Sequence, residues 1–126
     1  ASSCPRERPI SNAAVISLAE AHITHQLRDP DLDPASIHIA LGISRTALYR
    51  AFAESGGIAA AIRDARLNLV RRYLAAPLNE KTRIPTIAYA CGFTDVPSFN
   101  RGFRKRFGLS PRDFQAARCD GTLDPR

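Results

Sequence analysis

This 126-residue chain has no methionine, only three cysteines and no long hydrophobic run. Without a methionine, the start as given is expected to be processed or cut. Cys4, Cys91 and Cys119 are odd in number and far apart, and no C-x-x-C pair exists. That spacing indicates neither a zinc site nor a disulfide framework. No apolar stretch approaches the ~20 residues needed to cross a bilayer, and no secretory signal is visible. A cytoplasmic chain with no membrane partner is therefore expected. The β-branched residues never alternate over a useful length, so the expected fold class is all-α. A glycine-rich phosphate loop, a nucleophile elbow and a carboxylate pair flanked by apolar residues are all missing. His22 and His25 lie i, i+3 on a helix, a spacing that could hold a metal but more often means nothing, and His38 stands apart. No cofactor and no enzymatic activity are expected.

What is present begins with charge. The formal charge is +6, unevenly placed: residues 1–43 carry three basic and five acidic side chains, residues 44–126 fifteen and seven. That excess favours a polyanionic partner, with a solvated, Arg-rich surface as the bland alternative. The length allows one domain, or two small lobes sharing a helix, with a modest core.

The most informative stretch is Ile84 to Phe114, IPTIAYACGFTDVPSFNRGFRKRFGLSPRDF. Ile84, Ile87, Ala88 and Cys91 fall at helical spacing, and Pro85 fits a first turn. Gly92 follows at the place of a left-handed cap. Cys91 reads as a small buried apolar residue, with a thiol sensor as the minor alternative. Thr94 or Asp95 then caps a second helix that tolerates Pro97 in its first turn. Phe99, Phe103 and Phe107 recur every four residues and must face the core, which leaves Asn100, Arg101, Arg104 and Lys105 outward. Pro97 to Arg112 holds five basic residues and no acidic one. An apolar stripe opposite a face of amide and guanidinium groups suits major-groove reading.

The pattern occurs twice. Leu48-x-Arg50-x-Phe52 and Phe99-x-Arg101-x-Phe103 lie 51 residues apart, and Gly57 and Gly108 follow at the same offset. Gly42-Ile43-Ser44 matches Gly92-Phe93-Thr94 at 50, so the second turn has one extra residue. Asp33-Pro34 starts the first unit as an N-cap with proline behind it, Ile37, Leu41, Ile43 and Leu48 are its core positions, and Ser44 caps its second helix. Two copies of one helix-turn-helix are far more specific than one. Between them, Ile58 to Ala76 has no Pro or Gly and carries a stripe of Ile58, Ile62, Leu69, Val70, Tyr73 and Leu74, with Pro77 and Asn79 as the stop. Its span, roughly 28 Å, is near the ~34 Å turn between successive major-groove faces. A first helix is expected from about Ser11 to Leu27, packing through Ala14, Val15, Leu18, Ala21 and His22.

Residues 84–114 resemble, almost position for position, the signature of the AraC/XylS family of bacterial transcription regulators. The whole stretch from about Ser11 to Ala117 looks like that family's DNA-binding domain. The resemblance implies about seven helices: two helix-turn-helix lobes joined by a long central helix, each lobe inserting one helix into adjacent major grooves. The boundaries it implies are a linker or disordered arm over 1–10, a first lobe over 11–57, a linker helix over 58–76, a second lobe over 77–119 and a tail over 120–126. The implied partners are a double-stranded DNA operator, RNA polymerase, and an N-terminal sensor and dimerisation domain absent from this chain, although a few members are complete without one. The implied role is a nucleoid-associated regulator, an activator by preference.

By the same resemblance the reading helices are Ser44 to Glu54 and Asp95 to Phe107. The outward, base-reading candidates are Arg45, Thr46, Tyr49 and Arg50 in the first, and Val96, Pro97, Ser98, Asn100 and Arg101 in the second. Arg45 and Arg50 could fork onto guanine, or hold a phosphate or an acidic neighbour. Asn100 suits adenine, with a surface asparagine as the alternative. Val96 and Pro97 offer only apolar contact, so the second helix is poorer in base-edge donors. Thr46 and Ser98 could bond bases or phosphates, and Tyr49 could stack on the sugar-phosphate or on its own helix. Ser44, Arg104, Lys105, Arg106 and Arg112 are phosphate candidates, which position without specifying. Arg66 joins them from the linker helix, as could Arg63, with a solvated face as the alternative.

Two features depart from the family pattern. His38 stands where the family usually has a small residue, so the first lobe is expected to be splayed or its helix rotated. SRTALYRAF resembles a TetR reader as much as an AraC one, but nothing after residue 57 resembles the TetR ligand domain and the second unit argues against it. The rival class is a helical protein-interaction module with a basic face, which competition by unrelated duplex DNA would distinguish. A module linked to alkylation repair would need four metal-binding cysteines and a catalytic domain that this length has no room for.

Overall fold

Asp33 shows how local chemistry starts these helices. Its carboxylate accepts the Ser36 N–H at 2.8 Å while Ser36 Oγ accepts the Asp33 N–H at 3.1 Å, so two otherwise unpaired donors are satisfied reciprocally. Pro34 occupies the first turn, where no N–H is required. The computed structural model describes residues 11–76 and 81–119, without the side chains of 118 and 119. Those residues form α1 (Asn12–Gln26), α2 (Pro34–Leu41), α3 (Arg45–Phe52), α4 (Ile58–Ala75), α5 (Ile84–Ala90), α6 (Val96–Phe107) and α7 (Pro111–Cys119), with a short 3-10 turn, Ala53–Ser55, after α3. The fold is all-α, with no strand among the described residues. The expected N-terminal arm, the C-terminal tail, Cys4 and the Pro77–Asn79 stop lie outside the described residues.

The chain divides into two units. One holds α1 together with Asp31–Ile62; the other holds Leu27–Pro30 and everything from Arg63 onward. The division therefore falls inside α4, and the short segment after α1 belongs to the second unit.

In the first unit α1 packs chiefly on α3. Its buried face is Val15, Ala19 and Ile23, a run at four-residue spacing. This corrects the expected face: Leu18 is 46% exposed and Ala21 is also outside. Two stripes lie side by side in the sequence, and packing buries the one with β-branched Val15 and Ile23 at its ends rather than the one with Leu18. Ile37 and Leu48 are fully buried, while Leu41 and Ile43 are only half-buried. α2 ends at Gly42, whose φ of 69° is left-handed, with the Gly42 and Ile43 N–H groups returning to the α2 carbonyls. His38 finds room without disturbing this cap: its Nδ1 lies 3.3 Å from the Ile43 carbonyl oxygen, which accepts a hydrogen bond from the Nδ1–H form.

In the second unit, the part of α4 from Arg63 buries Leu67, Leu69, Val70 and Leu74. Arg66 reaches from α4 to Leu27–Pro30, donating through Nε to the Leu27 carbonyl at 3.1 Å and through Nη2 to the Asp29 carbonyl at 2.7 Å. Arg28 donates to the Tyr73 hydroxyl and lies over its ring at 5.5 Å. Gly92, at φ +98°, sits against this knot, since a Cβ there would stand 2.5 Å from the Leu27 carbonyl oxygen. Phe99 and Phe103 of α6 are fully buried, and their rings run on to Phe93 at 5.0 Å, Phe107 at 4.7 Å and Phe114 of α7 at 5.8 Å. Phe107 is half-buried beneath the Arg71 guanidinium at 5.4 Å. An apolar ladder of this kind fixes which way α6 turns, and thereby which residues it offers to solvent.

Candidate nucleic-acid interface

The first reader is set by Ser44. Its Oγ accepts the Ala47 N–H at 3.0 Å, and with Leu48 and Phe52 buried the opposite face of α3 must point outward. Arg45, Thr46, Tyr49 and Arg50 line one shallow depression of about 490 Å³ on that face. The Arg45 guanidinium lies over the Tyr49 ring at 5.6 Å, a cation–π contact that holds both across the face of α3. Tyr49, 44% exposed, is thus a platform on the surface rather than part of the core.

The second reader starts at Asp95, in extended conformation at φ −132°, whose side chain makes no hydrogen bond to the helix backbone. Pro97 at the second helical position has no N–H to offer. The carboxylate instead accepts the Ser98 hydroxyl at 2.7 Å, and Ser98 Oγ accepts from Arg101 Nη2 at 3.2 Å. Pro97, Ser98, Asn100 and Arg101 are exposed, and Val96 is half-buried. Beside them runs a groove of about 800 Å³ that holds Lys81, Arg83, Asn100, Arg101, Arg104 and Arg112, with no carboxylate among the described residues that line it. Gln115 Nε2 donates to the Thr82 carbonyl at 2.9 Å and so ties α7 to the segment before α5. Ser110 caps α7 by accepting the Asp113 N–H at 3.1 Å, which places Arg112 at the groove.

Lys81 and Arg83 are not singled out by the sequence. Arg83 is the N-cap of α5, where its charge gains nothing from the helix dipole. Two other arginines are used inside the protein. Arg66, grouped by sequence with the phosphate candidates, gives two hydrogen bonds to the Leu27–Pro30 backbone, a structural role that leaves fewer of its donors for a phosphate. Burial lowers its pKa, with Asp29 opposing, yet a guanidinium stays charged at physiological pH. Arg106 is held to α4 through Asn68 Oδ1 at 3.0 Å and Asp64 at 3.5 Å. Arg104 and Lys105 remain exposed. Cys91 is fully buried, and that burial pushes its thiol up to about 11 against the opposing pull of Arg28 and Arg72. Among the described residues no group of three His, Cys, Asp or Glu could hold a metal, and no helix is long and apolar enough to cross a membrane.

Two capped helices on matched turns, each backed by a buried apolar stripe and fronted by arginine, define a double helix-turn-helix protein built to meet nucleic acid. Residues 38–117 match the helix-turn-helix domain family. The chain is 30% identical over 112 residues to the transcriptional activator RhrA of Rhizobium meliloti (strain 1021), covering 88% of this chain and 34% of that protein. It is 36% identical over 90 residues to the transcriptional activator NphR of a Rhodococcus species, covering 71% and 26%. A solved transcriptional regulator from Chromobacterium violaceum, described as AraC-type DNA-binding domain-containing, aligns with a TM-score of 0.74 at 27% identity, over 84% of this chain and 93% of that one. The chain belongs to the AraC/XylS family, whose members are DNA-binding transcription regulators and not enzymes. It spans about a third or less of the length of these curated relatives.

Proposed function

We propose that this chain reads a double-stranded DNA operator by placing α3 and α6 in adjacent major grooves, as the DNA-binding part of a larger, effector-responsive transcription activator. The observation that carries the reading is the duplication in three dimensions: Arg50 and Arg101, 51 positions apart, each stand exposed on a capped helix, backed by Leu48 and Phe52 in one and Phe99 and Phe103 in the other. Functionally the lobes are 11–57 and 77–119 about the helix over 58–76. Arg45, Thr46, Tyr49 and Arg50 read one element. Val96, Pro97, Ser98, Asn100 and Arg101 read the other, Arg50 and Arg101 on guanine and Asn100 on adenine. Ser44, Arg104, Lys105 and Arg112 hold phosphates, joined by Lys81 and Arg83, while Arg106 contributes only what its ion pair leaves.

The activator role is supported by the names of RhrA and NphR, and their greater length supports a separate N-terminal sensor and dimerisation domain. Activation implies contact with RNA polymerase, and the setting is the bacterial cytoplasm, at the nucleoid. The test is selection of randomised duplex DNA by the chain, with the enriched molecules sequenced. Two short preferred elements about one helical turn apart are expected. No binding to any duplex would refute the reading in favour of a protein partner.

A further inference from the structure

We propose that Asp95 and Ser98 are specificity-determining positioning residues: they pre-set Arg101 for one base pair, a device the first reader does not have. The inference rests on the DNA-reading proposal above and concerns how the second reader achieves selectivity with few base-edge donors.

Most N-cap carboxylates are occupied by the N–H groups of the first helical turn. Here Pro97 has removed one of those donors, and Asp95 makes no bond to the helix backbone. Its charge goes sideways instead, to the Ser98 hydroxyl at 2.7 Å, in the range of a charge-assisted bond. With its proton committed to Asp95, Ser98 Oγ faces Arg101 as an acceptor and takes Nη2 at 3.2 Å. One proton placement therefore satisfies both contacts, and the three side chains run Asp95, Ser98, Arg101 along one exposed edge of α6. The rest of the guanidinium keeps the forked donor face that matches guanine O6 and N7.

The first repeat supplies an internal control. The positions 51 residues earlier are Ser44, Ala47 and Arg50. Ser44 gives its oxygen to the Ala47 backbone N–H, and the Ala47 side chain has no hydroxyl to pass on. Arg50 therefore stands on the same turn of its helix without this relay.

Two consequences separate the readers. An arginine held before docking loses less side-chain freedom when it binds, so it gains more from the right base. A carboxylate one hydroxyl away also makes the same place less hospitable to a phosphate, which biases Arg101 towards a base edge over the DNA backbone. Val96 and Pro97 add no donors, so selectivity in this element concentrates at the base pair facing Arg101.

The test uses the full chain and the duplex it selects from random DNA, with affinity measured on that duplex, on versions with each base pair changed, and on an unrelated duplex. Arg101→Ala identifies the base pair concerned. Ser98→Ala is expected to lose about tenfold of the discrimination at that same base pair and clearly less at every other base pair. Ser98→Thr, which restores a hydroxyl, is expected to recover it. Asp95→Asn keeps a good N-cap residue and is expected to raise affinity for the unrelated duplex while discrimination falls. Wild-type discrimination by Ser98→Ala, or an equal loss on every duplex, overturns the relay while leaving DNA reading intact. A wild-type chain that enriches no sequence overturns both.

Discussion

Arg66 and Arg101 carry the same side chain in opposite surroundings. Arg101 is exposed on α6, whereas Arg66 is half-buried and gives two N–H groups to backbone carbonyls that have left a helix. Removing a charged donor from partly buried carbonyls costs about 1–3 kcal/mol. Arg66→Ala is therefore expected to lower the unfolding free energy by that amount, and Arg66→Lys to recover little, since an ammonium cannot reproduce the fork. Denaturant titration of the three proteins checks this, and an Arg66→Ala chain as stable as wild type would refute the clamp. Cys91 gives a prediction of a different kind. Its thiol is raised to about 11 in the folded chain, while an unfolded thiol ionises near ~8.5. Between those values the folded state holds more protons than the unfolded one, so stability falls as pH rises through the window and is unaffected below it. Cys91→Ala should lower stability at neutral pH but flatten the decline between pH ~9 and ~11. Parallel profiles for the two proteins would contradict a buried, neutral thiol.

At the scale of elements, the glycines distinguish geometry from packing. Gly42 and Gly92 both end the first helix of a helix-turn-helix with positive φ, but a Cβ meets nothing within 4 Å at Gly42 and meets the Leu27 carbonyl at 2.5 Å and Arg66 Nε at 2.6 Å at Gly92. Gly42→Ala is expected to cost about 1–2 kcal/mol, the penalty of a left-handed residue alone. Gly92→Ala should cost clearly more, because backbone must move. Gly102, inside α6, is the reverse case: a Cβ there would touch Leu67 Cδ1 at an ordinary 3.5 Å. Gly102→Ala should stabilise by about 0.5–1 kcal/mol through helix propensity, read as a rise in thermal midpoint; a fall would mean that α4 and α6 leave no room for a methyl group. These contrasts also explain what is legible in the sequence. The caps at Asp33, Ser44 and Gly42, the phenylalanine ladder and the one-residue difference between turns are readable because each is fixed within about five residues. The sequence narrows the N-cap of α6 to Thr94 or Asp95, and Asp95 has it. What cannot be read is set by distant partners: Ala19 in place of Leu18, the burial of Leu67, Arg66 turned inward to Leu27, and the groove that gathers Lys81 and Arg83 with residues twenty to thirty positions away.

Over the whole chain, the charge separates by use, and salt dependence can measure that separation. Of the basic residues after position 60, Arg66 is tied to backbone and Arg106 to Asp64 and Asn68, while Arg104, Lys105 and Arg112 are exposed and Lys81 and Arg83 share the groove. Each phosphate neutralised on duplex DNA releases counterions and adds about −0.9 to the slope of log affinity against log salt. Five such contacts predict a slope near −4 to −5, before the first reader adds its own. Lys105→Ala and Arg112→Ala should each flatten the slope by about 0.9, with equal loss on the selected duplex and on an unrelated one, because phosphate contacts carry no sequence. Arg66→Ala should leave the slope unchanged even as it destabilises the fold, provided the temperature keeps the variant folded. Arg101→Ala should lower affinity for the selected duplex far more than for the unrelated one. A set of variants in which every arginine changed the slope alike would mean that the positive charge acts as a diffuse field, and the division into clamp, backbone contact and base reader would fail with it.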